Sequence, residues 1–154
     1  MHRNRAKGMR SIGFMIGLGM MVVGAAASSQ GGTGSRMGAM MGAGTALTGA
    51  QEVPAVSTQA TGVSSIMVSG DKNISGDVRT TNLNGTAAHI HQGAMGQNGP
   101  VIIPLTKTAD GIWTVPANTI LTSAQFDAYR AGDLYVNVHS AANPGGEIRA
   151  QIKP

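Results

Sequence analysis

The sequence predicts an all-β fold, a Greek-key-like antiparallel β-sandwich with one short helix, over residues 46–154. Three observations lead there. From Leu47 onward, short runs of alternating or β-branched residues are separated by turn residues, the texture of a sandwich or barrel. Only residues 122–131 carry the punctuation of a helix. With 154 residues and 23 glycines, the chain has room for one domain of ordinary size.

Arg3, Arg5, Lys7 and Arg10 precede an apolar run, residues 11–27, that ends in Ala25, Ala26 and Ala27. Cations, then an apolar stretch, then small residues make a secretory signal peptide, with cleavage expected after Ala27. The alternative is an uncleaved anchor, since about 17 apolar residues stand at the lower edge of what spans a bilayer. Only through that segment would the chain meet a membrane. Export to a periplasm, cell surface or medium is therefore expected. The four N-terminal cations account for the whole net charge of +4, because residues 28–154 carry seven Lys or Arg and seven Asp or Glu. No basic patch is left to recruit nucleic acid. There is no cysteine, which excludes disulfides, thiolate metal sites and a cysteine nucleophile.

Residues 28–45 are rich in Gly, Ser and Met and are expected to form a flexible linker. Its Met37, Met40 and Met41 carry thioethers, soft ligands suited to Cu(I), and could serve as an accessory for collecting copper. The strands begin with residues 47–56, where Pro54 signals an edge or a bulge. In residues 60–70, Val63, Ile66 and Val68 do not alternate cleanly, so a bulge is expected near Ser64 and Ser65. A turn at Asp71, Lys72 and Asn73 leads into a partner strand at residues 73–81, making a hairpin. Another turn, residues 82–85, delivers the chain to Ala87-Ala88-His89-Ile90-His91. A glycine-rich loop at 93–100, an apolar core strand at 101–105 and a strand at 112–115 with the lone Trp113 follow. The helix has Thr122 and Gln125 as a capping box and Gly132 at its end. Being too short to stand alone, it must pack Phe126 and Tyr129 on the sheet. Strands at 133–139 and 146–152 close the chain. There Leu134, Val136 and Val138 share one face with Ile148, Ala150 and Ile152, which places His139 beside Glu147 and Arg149 on the polar face.

His89 and His91 stand at i and i+2, so a strand turns both imidazoles to one side, about 7 Å apart at Cα. With His139 they form a candidate site of three nitrogen ligands, suited to Cu(II) ahead of Zn(II). Met95 is a candidate weak axial ligand and Glu147 a candidate acceptor behind the ligands. In the alternative, His89 and His91 bond to the loop around Asn98 and His139 bonds to backbone near Asn143. Glu147 and Arg149 are then a structural ion pair that fixes the hairpin, and Tyr135, Asn137 and Trp113 are packing and hydrogen-bonding residues. Catalytic signatures are absent: there is no Gly-x-Ser-x-Gly turn and no phosphate loop, and Asp77 and Glu52 read as solvated surface positions.

Four motifs follow one another along the chain: Leu47-Thr48-Gly49-Ala50-Gln51-Glu52-Val53-Pro54, the Ala-Ala-His-Ile-His-Gln-Gly block with Gly99-Pro100-Val101 after it, Tyr135-Val136-Asn137-Val138-His139, and Gly145-Gly146-Glu147-Ile148-Arg149-Ala150-Gln151-Ile152. In this order they resemble the chordin-type (CHRD) domain family over residues 47–152. The resemblance implies a compact β-sandwich of exported proteins and no single activity. A weaker similarity is to copper-zinc superoxide dismutases, whose copper-only histidines are matched by His89, His91 and His139. The bridging histidine, the zinc ligands and the cysteine pair of those enzymes have no counterpart. The expectation is an exported, non-enzymatic binding module that takes copper, or less readily zinc, through the three histidines. The competing expectation is a metal-independent module for an extracellular protein partner or for adhesion, with structural histidines.

Overall fold

The computed structural model describes residues 44–154. The expected signal peptide and almost all of the expected linker, with Met37, Met40 and Met41, lie outside the described residues. In chain order the elements are β1 (Thr45–Thr48), a 3-10 turn (Gly49–Gln51), β2 (Thr61–Ser64), β3 (Met67–Val68), β4 (Ile74–Ser75), β5 (Asp77–Thr81) and β6 (Gly85–Gln92). There follow β7 (Val101–Pro104), β8 (Thr106–Ala109), β9 (Ile112–Thr114), α1 (Ser123–Ala131), β10 (Leu134–Ser140) and β11 (Ile148–Ile152). The fold is all-β and antiparallel with one short helix, as the alternation predicts.

Nine strands share one hydrogen-bonded sheet in the order β7-β6-β10-β11-β1-β2-β5-β9-β8, and β3 pairs with β4 beside it. The two border strands, β7 and β8, are joined by Leu105 alone. In a flat sheet eight spacings would part them by roughly 38 Å, whereas one linking residue holds the strand ends within about 7 Å. The sheet must therefore curl back on itself, and its inner face becomes the core. Leu47, Val78, Ile90, Leu134, Val136, Val138, Ile148 and Ala150 are all 0% exposed there. Burying each large aliphatic side chain contributes on the order of 1.5–3 kcal/mol, which is what holds a domain that has no disulfide.

Every residue of β10 and β11 is buried. Their inner face is apolar, as alternation requires. Their polar face is roofed by the loops before β7 and after β1: Arg149 donates to the Ala94 and Gln97 carbonyls, Gln151 to Gly93, and Thr58 to Glu147.

The helix forms with both halves of its capping box, Thr122 accepting from the Gln125 amide and Gln125 accepting from Thr122, and it ends on Gly132 at φ 81°. Tyr129 is buried and Phe126 half-buried against the core. Four elements differ from expectation, one being the strand expected at residues 73–81, which Gly76 divides into β4 in the small sheet and β5 in the large one. The first strand stops at Thr48, because the Gly49 carbonyl accepts from Glu52 and Val56 and turns the chain. The expected bulge at Ser64–Ser65 is a full break that passes the chain from the large sheet to the small one. The strand Thr106–Ala109 carries no expectation at all: its four residues are all exposed, so no apolar periodicity marks it.

Candidate metal centre

β6 lies between β7 and β10, with His89 opposite Asn137, His91 opposite Tyr135 and Ala87 opposite His139. His89 and His139 are thus diagonal neighbours on one face, within reach of long side chains. Register shifts fall at Ile90/His91 on the β7 side and at His139/Ser140 on the β6 side. Such irregularities re-aim side chains beside them. The three imidazoles meet: one nitrogen of each lies within 4.8 Å of the others.

Their partners determine which nitrogens are available. His91 Nδ1 is 2.9 Å from the Gly99 carbonyl and His139 Nδ1 is 3.0 Å from the Pro144 carbonyl. A carbonyl only accepts, so both Nδ1 atoms carry protons and both Nε2 atoms keep lone pairs when the rings are neutral. His139 Nε2 is 2.9 Å from His89 Nδ1, while His91 Nε2 is buried with no hydrogen-bond partner. The cluster therefore offers Nε2 of His91, Nε2 of His139 and, once its proton moves to the other ring nitrogen, Nδ1 of His89. Burial holds His89 below the usual imidazole range, and the neighbouring His139 and His91 add to it. Burial also lowers His139, against the Pro144 carbonyl, which raises it. Neutral rings are what a divalent metal needs.

The set fits a metal with a small adjustment. Ligands on a tetrahedral ion with bonds near 2.05 Å stand about 3.4 Å apart. The His89–His139 pair is already closer than that, and the widest separation closes by up to about 1.4 Å from 4.8 Å. The orphaned His91 Nε2 is the clearest fit, since a buried lone pair without a donor costs about 1–3 kcal/mol. Carbonyls behind His91 and His139 are the orienting groups that metal-bound histidines usually have.

Other residues fall elsewhere. Met95 is 73% exposed and lines a depression with Glu52, Gly96, Arg149 and Gln151, with none of the three histidines in its wall. Glu147 bonds to Ser140 and to Thr58, at 2.6 Å for the latter. The acceptor behind His139 is therefore a backbone carbonyl, and Glu147 instead ties β10 to the segment after β1. No ion pair joins Glu147 to Arg149. Among the described residues the ion pairs are Arg79–Asp77 and Lys107–Asp110, both at the surface and worth little. Arg149 is 1% exposed and is spent on the roof loop and on the Tyr135 ring, 3.4 Å from its centroid. Asn137, 2% exposed, stands between His89 and Arg149, its cross-strand partners on either side.

Two participants escape the sequence. Glu52, read as a solvated surface position, is 6% exposed, and burial pushes its carboxyl up against the opposing effects of Arg149, Asn137 and the Val53 amide. Tyr135 stacks on His91 with centroids 4.7 Å apart and planes at 5°. Its place opposite His91 follows from strand pairing, which local pattern does not reveal.

A family model described as the CHRD domain matches residues 43–152. The chain belongs to the CHRD domain family. The match takes in the whole sheet, the helix and all three histidines of the centre. Comparison with curated proteins and with solved structures found no match, so no structural relative supports the likeness to superoxide dismutases. Within this CHRD domain the polar face of β6, β10 and β11, with its roof, is where the chemistry-bearing side chains gather. Among the described residues, no helix is long and apolar enough to cross a membrane.

Proposed function

We propose that this CHRD domain is an exported, non-enzymatic binding module that takes one Cu(II) ion through His89, His91 and His139, with Zn(II) as the weaker fit. The observation that carries the proposal is the buried, unpartnered Nε2 of His91 beside the His89–His139 pair. A bound ion would hold those lone pairs and leave a coordination position for an exchangeable ligand. Three imidazoles favour copper over zinc by the general order of divalent affinities. Export is supported by the cationic, then apolar, then small-residue order of residues 1–27.

Titration of the purified chain with Cu(II) should saturate near one ion per chain, with nitrogen hyperfine structure in the electron paramagnetic resonance spectrum. His91→Ala and His139→Ala should each weaken uptake by on the order of 100-fold or more, given that even groups behind the ligands matter 10–100-fold. Unchanged uptake in the triple alanine variant would sink the proposal.

A second reading is favoured by the bonds from His91 to Gly99 and from His139 to Pro144. Here the histidines pin loops for a metal-independent module that binds an extracellular protein partner. It predicts no effect of Cu(II) on the melting temperature.

A further inference from the structure

The loop between β6 and β7 is exposed from Ala94 to Asn98, yet it delivers the Gly99 carbonyl to a fixed place 2.9 Å from His91 Nδ1. Its far end is held by the ladder, where the Gln92 amide donates to the Pro100 carbonyl at 3.0 Å, and the rest of the loop is held by a buried cation. Arg149 Nη2 donates to the Gln97 carbonyl at 2.9 Å and to the Ala94 carbonyl at 3.3 Å, and Nη1 approaches Asn98 Oδ1 at 3.4 Å. The same guanidinium lies over the Tyr135 ring, and β6 and β11 flank β10, so that ring stands between Arg149 and His91. Tyr135 Oη also accepts from the Gly99 amide at 3.2 Å. Gly99 comes so close to β6 that a Cβ there would sit 1.7 Å from the Gln92 carbonyl oxygen. The loop end thus has one seat, and Arg149 reaches His91 from two directions, through the loop and through the Tyr135 plate.

We infer that Arg149 is a positioning residue that sets which ring nitrogen of His91 keeps its proton. With the Gly99 carbonyl held at Nδ1, the proton stays on Nδ1 and the lone pair is presented at Nε2. If the loop is freed, the carbonyl leaves and both tautomers become populated. Lysine cannot replace it, because an ammonium has neither the planar face for the ring nor a second nitrogen to reach Asn98 while the first holds the two carbonyls. The inference concerns the metal-free chain; its consequence for copper rests on the proposed function.

The test is long-range proton–nitrogen correlation spectroscopy of the histidine rings in the isotope-labelled, metal-free full chain. The wild type should show His91 as a single tautomer protonated at Nδ1. Arg149→Lys should show mixed tautomers. If that variant fails to fold, Asn98→Ala decides: it cuts one Arg149 contact and the 2.7 Å bond from Asn98 to the Val53 carbonyl at an exposed position. A second tautomer should then appear. A single Nδ1-protonated form in every folded variant overturns the inference, as does a wild type protonated at Nε2. Arg149→Lys should also weaken Cu(II) binding about tenfold or more, the usual effect of a group behind a ligand. A wild type with the expected tautomer but no copper uptake would remove the copper proposal and leave this inference standing. Copper uptake with mixed tautomers in the wild type would do the reverse.

Discussion

Gly146 shows how tightly single residues are constrained around the centre. Its φ is 128°, a conformation closed to residues with a side chain, and a Cβ there would lie 2.5 Å from Glu52 Oε1 and 2.6 Å from Asn137 Nδ2. Gly146→Ala should therefore cost about 2 kcal/mol, read as a lower urea midpoint, and it should disturb Asn137, the cross-strand partner of His89. Glu147 provides a second check. Its bonds from Ser140 and Thr58 hold its carboxyl below the usual range. Between the unfolded value of about 4.3 and the lower folded value, the unfolded chain binds more protons, so stability falls as pH falls through that window. Glu52 has the opposite sign, since its raised value makes the folded chain the better proton binder just above the unfolded value. Glu147→Gln should flatten the acid limb of a plot of melting temperature against pH; an unaltered limb would assign that limb to other carboxylates. At this scale the sequence shows the three histidines, because a His-x-His strand and a late histidine are local patterns. It also shows Arg149 as structural but not its partners, and it hides Glu52, since burial of both comes from loops that close over them from distant parts of the chain.

Among the elements, α1 depends most on its ends. Nine residues are too few for an isolated helix, so the capping box and the packing of Tyr129 must supply its stability. Thr122→Ala should lower unfolding free energy by about 1 kcal/mol, measured by urea denaturation, and leave copper uptake intact because α1 contributes no ligand. This helix was legible, since caps are written in adjacent residues. β10 and β11 were legible too: Leu134, Val136, Val138, Ile148, Ala150 and Ile152 alternate without a fault. β8 was not, for an exposed border strand of Thr106, Lys107, Thr108 and Ala109 has no face to bury and is held by pairing with β9 alone. Alternation carries the first strand past its end at Thr48, because the turn there comes from a carbonyl accepting two amides, which no residue type announces.

For the whole molecule, the centre sits on β6 and β10, the strands whose following loops supply the Gly99 and Pro144 carbonyls. An ion held there would bind the folded chain and not the unfolded one, so at 100 times its dissociation constant it should add about 2.7 kcal/mol of stability. A rise in melting temperature with Cu(II), a smaller rise with Zn(II) and reversal by a chelator are expected; no shift with either ion would favour the metal-independent reading. The passage through Leu105 bears on a different property, the tendency of β-proteins to recruit copies of themselves. Open sheets aggregate through long, regular borders. Here each border strand has four residues, one ending in Pro104 and the other carrying Lys107 and a register shift before Ala109. A strand docking from another molecule would find too short and too irregular a ladder to extend, so the curled sheet resists fibril growth without any disulfide to lock it.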